Sequence, residues 1–203
     1  MTRRHHSPPP GHPFLGDLTL AGGRCHEFCG PSRRTLALML MARRSGPVIW
    51  LRPSWATETL HAPGVLGFAD PGRILLVTPS RGEDVLWAME ESLRSGAAPL
   101  VVAECDEVPG LTPVRRLHLA AQTGGQVAAA GAGLIGVLLT PGDGGAPGIE
   151  SRWSATPRHR CDARSWLLER RRARMAPPAA WVLHWNGSQA TLESPEPLAI
   201  PAQ

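Results

Sequence analysis

Five short apolar runs, separated by stretches of helical length, leave few folds open to this 203-residue chain. They occupy residues 24–28, 47–51, 73–77, 99–103 and 134–139. Runs that are apolar on both faces, as 47–51 and the later ones are, read as buried parallel strands. The intervening stretches carry helix signals. Ser32 is a candidate N-cap for a helix that buries Leu36, Leu38, Met39 and Leu40, runs to Arg44 and stops at Gly46. A short helix is expected near 55–60. Ser80 and Glu83 form a capping box before an apolar face of Val85, Leu86, Met89 and Leu93, and Gly96 closes that helix. A further helix is expected over 112–122, with Leu117 and Ala121 on one side. Strands and helices in this alternation form βαβ units, so the expected class is α/β, a mostly parallel β-sheet flanked by helices.

After the glycine-rich residues 142–148 the pattern turns antiparallel. Residues 150–155 read as an edge strand, and 181–185, Asn186-Gly187 and 188–192 as a hairpin with a two-residue type I′ turn. Four regions result: a mobile tail at 1–16, rich in proline; the α/β core at 17–155; an arginine-rich segment with the hairpin at 156–193; and a loose tail at 194–203.

The stretch 23–40, G-R-C-H-E-F-C-G-P-S-R-R-T-L-A-L-M-L, has the strand, loop and helix of a phosphate-binding P-loop without its chemistry. A P-loop, G-x-x-x-x-G-K-[ST], cradles phosphate with backbone N–H groups, reaches the outer phosphates with lysine and holds magnesium with the hydroxyl. Counted from Gly30, the glycine, lysine and hydroxyl positions hold Thr35, Leu36 and Ala37. No lysine can be borrowed from elsewhere, because all 21 basic residues counted as Lys or Arg are arginine. The degenerate loop is therefore Gly30, Pro31, Ser32, Arg33, Arg34 and Thr35, and neither bound cofactor nor ordinary ATP hydrolysis is expected. Arg33 and Arg34 either fork onto an anion or are solvated, and the nearest acid in sequence to pair with them is Glu27. Glu104, at the end of its strand, either contacts magnesium or is a partly buried carboxylate paired with an arginine.

A net charge of +4 permits acidic partners without defining a fold. Cys25, Cys29, Cys105 and Cys161 are scattered, and no apolar segment follows Arg3-Arg4, so a reducing cytoplasm is the expected location. No run has the roughly 18 apolar residues of a membrane helix. Cys25-His26-x-x-Cys29 lacks a second ligand pair, so no metal is expected. No G-x-S-x-G or H-E-x-x-H occurs, Glu90 and Glu91 face apart on a helix, and His118 beside Leu117 reads as structural. The chain is thus not expected to be an enzyme.

Arg164, Arg170, Arg171, Arg172 and Arg174 cluster around Trp166. They suit an acidic protein surface, or a single-stranded nucleic acid whose phosphates meet arginine while Trp166, Trp181 or Trp185 stacks on bases. A solvated sheet edge that deters aggregation is the third reading.

The runs G-R-C-H-E-F-C-G-P, G-E-D-V-L-W-A-M-E-E-S-L-R-S-G-A, L-V-V-A-E and L-I-G-V-L-L, in that order, resemble a RecA core across residues 22–155. The segment W-A-M-E-E-S-L-R-S-G-A and the closing R-W strand resemble more closely the ImuA family, RecA-like accessory proteins of bacterial SOS mutagenesis related to SulA-like division inhibitors. That resemblance implies a RecA-like core and a non-catalytic role in translesion synthesis after DNA damage. It also implies partners: RecA, a Y-family polymerase-like mutagenesis protein and an error-prone replicative-type polymerase. Where a RecA ATPase has its catalytic glutamate, this chain has Arg52-Pro53-Ser54. Two alternatives accompany this reading, a weak nucleotide-binding or ATP-hydrolysing RecA paralogue using Thr35 and Glu104, and a SulA-like inhibitor of cell division.

Overall fold

The computed structural model describes residues 11–128, 133–161 and 163–194. Its elements run β1 (Gly11–Pro13), β2 (Thr19–Ala21), β3 (Arg24–Cys29), α1 (Arg33–Ala42), β4 (Val48–Leu51), α2 (Ala62–Leu66), β5 (Ile74–Val77), α3 (Gly82–Ser95), β6 (Leu100–Glu104), α4 (Leu111–Val127), β7 (Ile135–Leu139), β8 (Ser151–Pro157), β9 (Ser165–Ala173), β10 (Ala179–Trp185) and β11 (Ala190–Glu193). Nine strands form one sheet in the order β11-β10-β9-β8-β3-β7-β6-β4-β5, and β1 pairs with β2 separately. From β8 to β5 neighbouring strands are parallel; β9, β10 and β11 continue the sheet antiparallel. The mixed α/β class with antiparallel C-terminal strands is therefore observed.

Each face of the sheet has its own core. On one, α1 buries Leu36 to Met41 against Phe14, Phe28, Trp50, Val102, Leu139 and Trp153, and the same cluster extends to Trp166, Leu168, Leu183 and Trp185. On the other, α3 and α4 bury Val85, Met89, Leu93, Leu117 and Ala121 against Val101, Ala103 and Leu138. Glycine permits α3 and α4 to meet. Gly96 ends α3 in the left-handed region, and a Cβ on Gly124 would lie 1.8 Å from the Leu93 carbonyl oxygen.

Several expectations need correction. Residues 55–60 are not helical; a lone turn of that length cannot sustain itself, and Trp55 Nε1 instead donates to Asp106 Oδ2 (2.7 Å). The helix lies later, at α2, with proline in its first turn. Helix α3 begins after Arg81, and no side chain caps it, so Ser80 and Glu83 do not make the expected box. Strand β5 is not buried but forms the sheet edge. Conversely, residues 150–155 contribute to β8, which is interior because β9 covers the side away from β3.

The hairpin pairs down to Trp185 and Ala190, and only Gly187 in its turn has positive φ. Asn186 is thus not in the left-handed conformation that a type I′ turn requires; its Oδ1 accepts the Ser188 and Gln189 N–H groups (3.1 and 2.9 Å) instead. Of the expected tail at 1–16, residues 1–10 lie outside the described residues, whereas Gly11–Pro13 form β1 and Phe14 and Leu15 are buried. Of the tail at 194–203, residues 195–203 lie outside the described residues. Among the described residues no helix is long and apolar enough to cross a membrane.

A buried polar chain fastens β2, β3 and β8 together. Trp153 Nε1–H can only donate, and does so to Ser151 Oγ (2.8 Å). The serine hydroxyl then donates to His26 Nδ1 (2.7 Å), so the imidazole proton sits on Nε2 and is given to the Ala21 carbonyl (3.0 Å). Burial holds His26 down to about 4; the Ala21 bond opposes this and nearby His118 and Arg24 add to it. An imidazole depressed in the folded state stays neutral while its unfolded counterpart, ordinarily near 6.5, takes up a proton. Stability is therefore full above about pH 6.5 and declines as pH falls toward about 4, by about 3 kcal/mol in total. Urea titrations of the wild type and His26→Gln between pH 7 and pH 4 should show this loss in the former and a flatter profile in the latter.

Candidate functional site

The loop between β3 and α1 lies at the carboxyl ends of the parallel strands, where open α/β sheets place their ligands. At Gly30, Ser32 and Arg33 its backbone donors are already engaged. Gly30 N–H donates to the Gly142 carbonyl (2.9 Å), Ser32 N–H to Ala155 (3.0 Å) and Arg33 N–H to Gly30 (3.3 Å), while Pro31 has no N–H. Gly30 has φ +79°, and a Cβ there would meet Ser154 Oγ at 2.7 Å and the Ala155 carbonyl oxygen at 3.1 Å. Only glycine lets the loop lie this close to β8. Ser32 is buried and makes no side-chain cap, and Thr35 lies in the first turn of α1.

Arg33 and Arg34 separate in role. Arg33 Nη1 only approaches the Gly30 carbonyl (3.4 Å). Arg34 donates to Glu104 Oε2 from Nε (3.1 Å) and Nη2 (2.7 Å), and its Nη1 bonds the exposed Glu58. Trp50 Nε1 donates to the other Glu104 oxygen (2.8 Å), so both carboxylate oxygens are held by protein donors. Arg52 is buried and its Nη2 bonds the Ala56 carbonyl within the 52–56 loop.

Glu27 does not pair with Arg33 or Arg34. It is fully buried, accepts from Thr140 Oγ1 (2.8 Å), Gly145 N–H (2.8 Å) and Ala146 N–H (3.1 Å), and forms an ion pair with Arg152 Nε (2.5 Å). These bonds draw the loop after β7 over the end of β3. Sequence reading missed Glu27, Arg152, Thr140, Trp50 and Trp153 as a set. An acid within the apolar run C-H-E-F-C was the available signal, since a strand buried on both faces admits a carboxylate only with partners.

The arginine cluster is divided by the sheet. Trp166 is 3% exposed, packed against Phe68 and His159, and Trp185 is buried, so neither offers a ring to a base. Arg170 lies over the rings of Trp153 (5.7 Å) and Trp181 (5.2 Å) and donates to the Pro177 carbonyl, which makes it part of the fold. A bulge opposite Arg152 and Trp153 leaves Arg171 without a ladder partner, and its guanidinium reaches Asp143 (2.7 Å) and Glu169 (3.2 Å). Arg164, Arg172 and Arg174 are exposed.

Arg174 also lines a cleft of about 400 Å³ with Arg24, Arg115, His118 and Glu150. His118 Nδ1 accepts the Cys25 N–H (3.2 Å) while Nε2–H donates to the Gly148 carbonyl (3.1 Å); burial lowers its pKa, Arg24 and Arg174 add to this, and the Gly148 carbonyl and Glu150 oppose it. Glu150 lies 3.6 Å from Arg24 and 3.7 Å from Arg174, leaving the cleft with more positive than negative charge. Among the described residues no three His, Cys, Asp or Glu side chains gather as metal ligands. Burial pushes the Cys25 thiol up to about 12, far from a thiolate ligand.

Removing a buried partner measures these clamps. Glu27→Ala should lose about 3–5 kcal/mol in urea denaturation, because it takes the buried carboxylate from the largely buried Arg152 and from the Thr140, Gly145 and Ala146 donors. Glu104→Ala should lose less, on the order of 2 kcal/mol, because Arg34 is partly solvated and keeps Glu58.

No family model matches the chain. Protein ImuA from two strains of Caulobacter vibrioides is 29% identical over 217 aligned positions, covering 97% of this chain and 84% of the relative. The crystal structure of SulA from Pseudomonas aeruginosa aligns with a TM-score of 0.44 at 19% identity, covering 58% of this chain and 98% of that one. The resemblance to the ImuA family carried by the motifs thus extends along almost the whole chain.

Proposed function

We propose that this protein is a non-catalytic, RecA-like accessory factor in DNA-damage-induced mutagenesis, acting in translesion synthesis by binding RecA, a Y-family polymerase-like partner, or both, with an error-prone replicative-type polymerase in the same pathway. The observation that carries the non-catalytic part is the engagement of the loop amides at Gly30, Ser32 and Arg33 by protein carbonyls. A phosphate cradle needs those donors free. Glu104, the Walker B-like acid, is held by Arg34 and Trp50 on both oxygens. The pathway rests on the likeness to Protein ImuA.

Binding by a basic surface is supported by the exposed Arg172 and Arg174 and by the arginine-lined cleft that Arg174 shares with Arg24 and Arg115. An acidic protein surface suits it better than single-stranded DNA, because Trp166 and Trp185 are buried and Trp181 is stacked on Trp153. The protein would act in the cytoplasm, beside those partners.

Purified protein should capture RecA or the polymerase-like protein equally with and without ATP-magnesium. Arg172→Glu with Arg174→Glu should weaken capture at least about tenfold, since misplaced like charges cost several kcal/mol. Arg170→Ala should instead lower stability and leave capture intact. Capture that depends on ATP bound by this chain would overturn the non-catalytic reading, and undiminished capture by the double variant would move the docking surface elsewhere.

A further inference from the structure

The two edges of the nine-stranded sheet differ in kind. Strand β11 ends in Glu193, which lies near His184, and its Leu192 is half-covered by the core. Strand β5 is Ile-Leu-Leu-Val, with neither charge, proline nor glycine to guard it. Leu75 is 56% exposed, Leu76 52% and Val77 37%. Arg73, immediately before the strand, turns its guanidinium inward onto the Gly46, Met41 and Arg44 carbonyls. A strand that is apolar on both faces and open along its edge is unusual on a monomer's surface.

Backbone direction and side-chain facing together select one way to cover it. The Val77 carbonyl accepts the Arg52 N–H and so points inward. By alternation, Leu76 and its neighbours Ile74 and Thr78 turn N–H and C=O outward. Leu75 and Val77, opposite Ile49 and Leu51, face the α3 side, whereas Leu76, opposite Trp50, faces the α1 side.

We propose that β5 pairs antiparallel with β5 of a second copy of this chain, about a two-fold axis passing beside Leu76. In that register Leu76 meets Leu76 of the partner on one face and Leu75 meets Val77 on the other, so each exposed apolar side chain is covered by its like. Outward-turned Ile74 and Thr78 complete the ladder on either side. The charges agree. The exposed Asp70 precedes each strand and the exposed Arg81 follows it, so an antiparallel pair sets the acidic end of one beside the basic end of the other. The interface is self-complementary, as a closed two-fold requires. It goes beyond the accessory role proposed above and does not depend on it.

Sedimentation equilibrium of the full chain tests this directly. A reversible monomer–dimer equilibrium is expected, weakened at least about tenfold by Leu75→Lys with Leu76→Lys, which place a charge on each face without touching the core. Arg81→Asp should weaken it less, and adding Asp70→Arg should restore it. That rescue decides the matter even if the double lysine variant folds poorly. A protein that stays monomeric at all concentrations overturns the proposal and leaves the edge to a strand of another protein. A dimer indifferent to charge at β5 overturns it equally, because its interface would then lie on another face.

Discussion

The carboxylate of Glu27 is the interaction on which the rest of the site depends. A charge buried this deeply is tolerated only when every lone pair has a donor. Thr140, Gly145, Ala146 and Arg152 supply them, from the end of β7, the following loop and β8. Gathering those donors sets the Gly142 carbonyl and β8 against the end of β3. The loop from Gly30 to Arg33 then meets carbonyl oxygens where a phosphate-binding protein would present amides. The clamp on Glu27 and the engaged amides of Gly30 and Ser32 thus belong to one arrangement.

The same logic divides the arginines. Those that reach a carboxylate or an aromatic face, namely Arg34, Arg152, Arg170 and Arg171, hold the structure together. Arg164 and Arg172 are exposed, and Arg174, also exposed, reaches Glu150 only at the rim of the cleft. In a chain whose basic residues are all arginine, side-chain type cannot separate the two groups. Their neighbours across the sheet do.

Much of the architecture was legible in the sequence because it rests on local pattern. The apolar runs and the glycine stops at Gly46 and Gly96 mark strands and helix ends wherever they occur. What depended on which strands lie side by side was not legible. Residues 73–77 look as buried as 99–103, yet β5 is an edge and β6 is interior. Residues 150–155 look like an edge, yet β8 lies between β3 and β9. Trp166 looks like a ligand-stacking ring beside arginines, yet the strand's alternation turns it into the core. Of the candidate site, the residues Thr35, Leu36 and Ala37 could be read directly, but the donors around Glu27 could not, because they come from residues 113 to 125 positions away.

The most direct measurement is amide hydrogen exchange at Gly30, Ser32 and Arg33, with and without millimolar ATP-magnesium. If these donors belong to the Gly142, Ala155 and Gly30 carbonyls, the Gly30 and Ser32 amides exchange slowly in the free protein and nucleotide changes none of the three. Rapid exchange in the free protein that slows when nucleotide is added would contradict the account and show a working phosphate cradle.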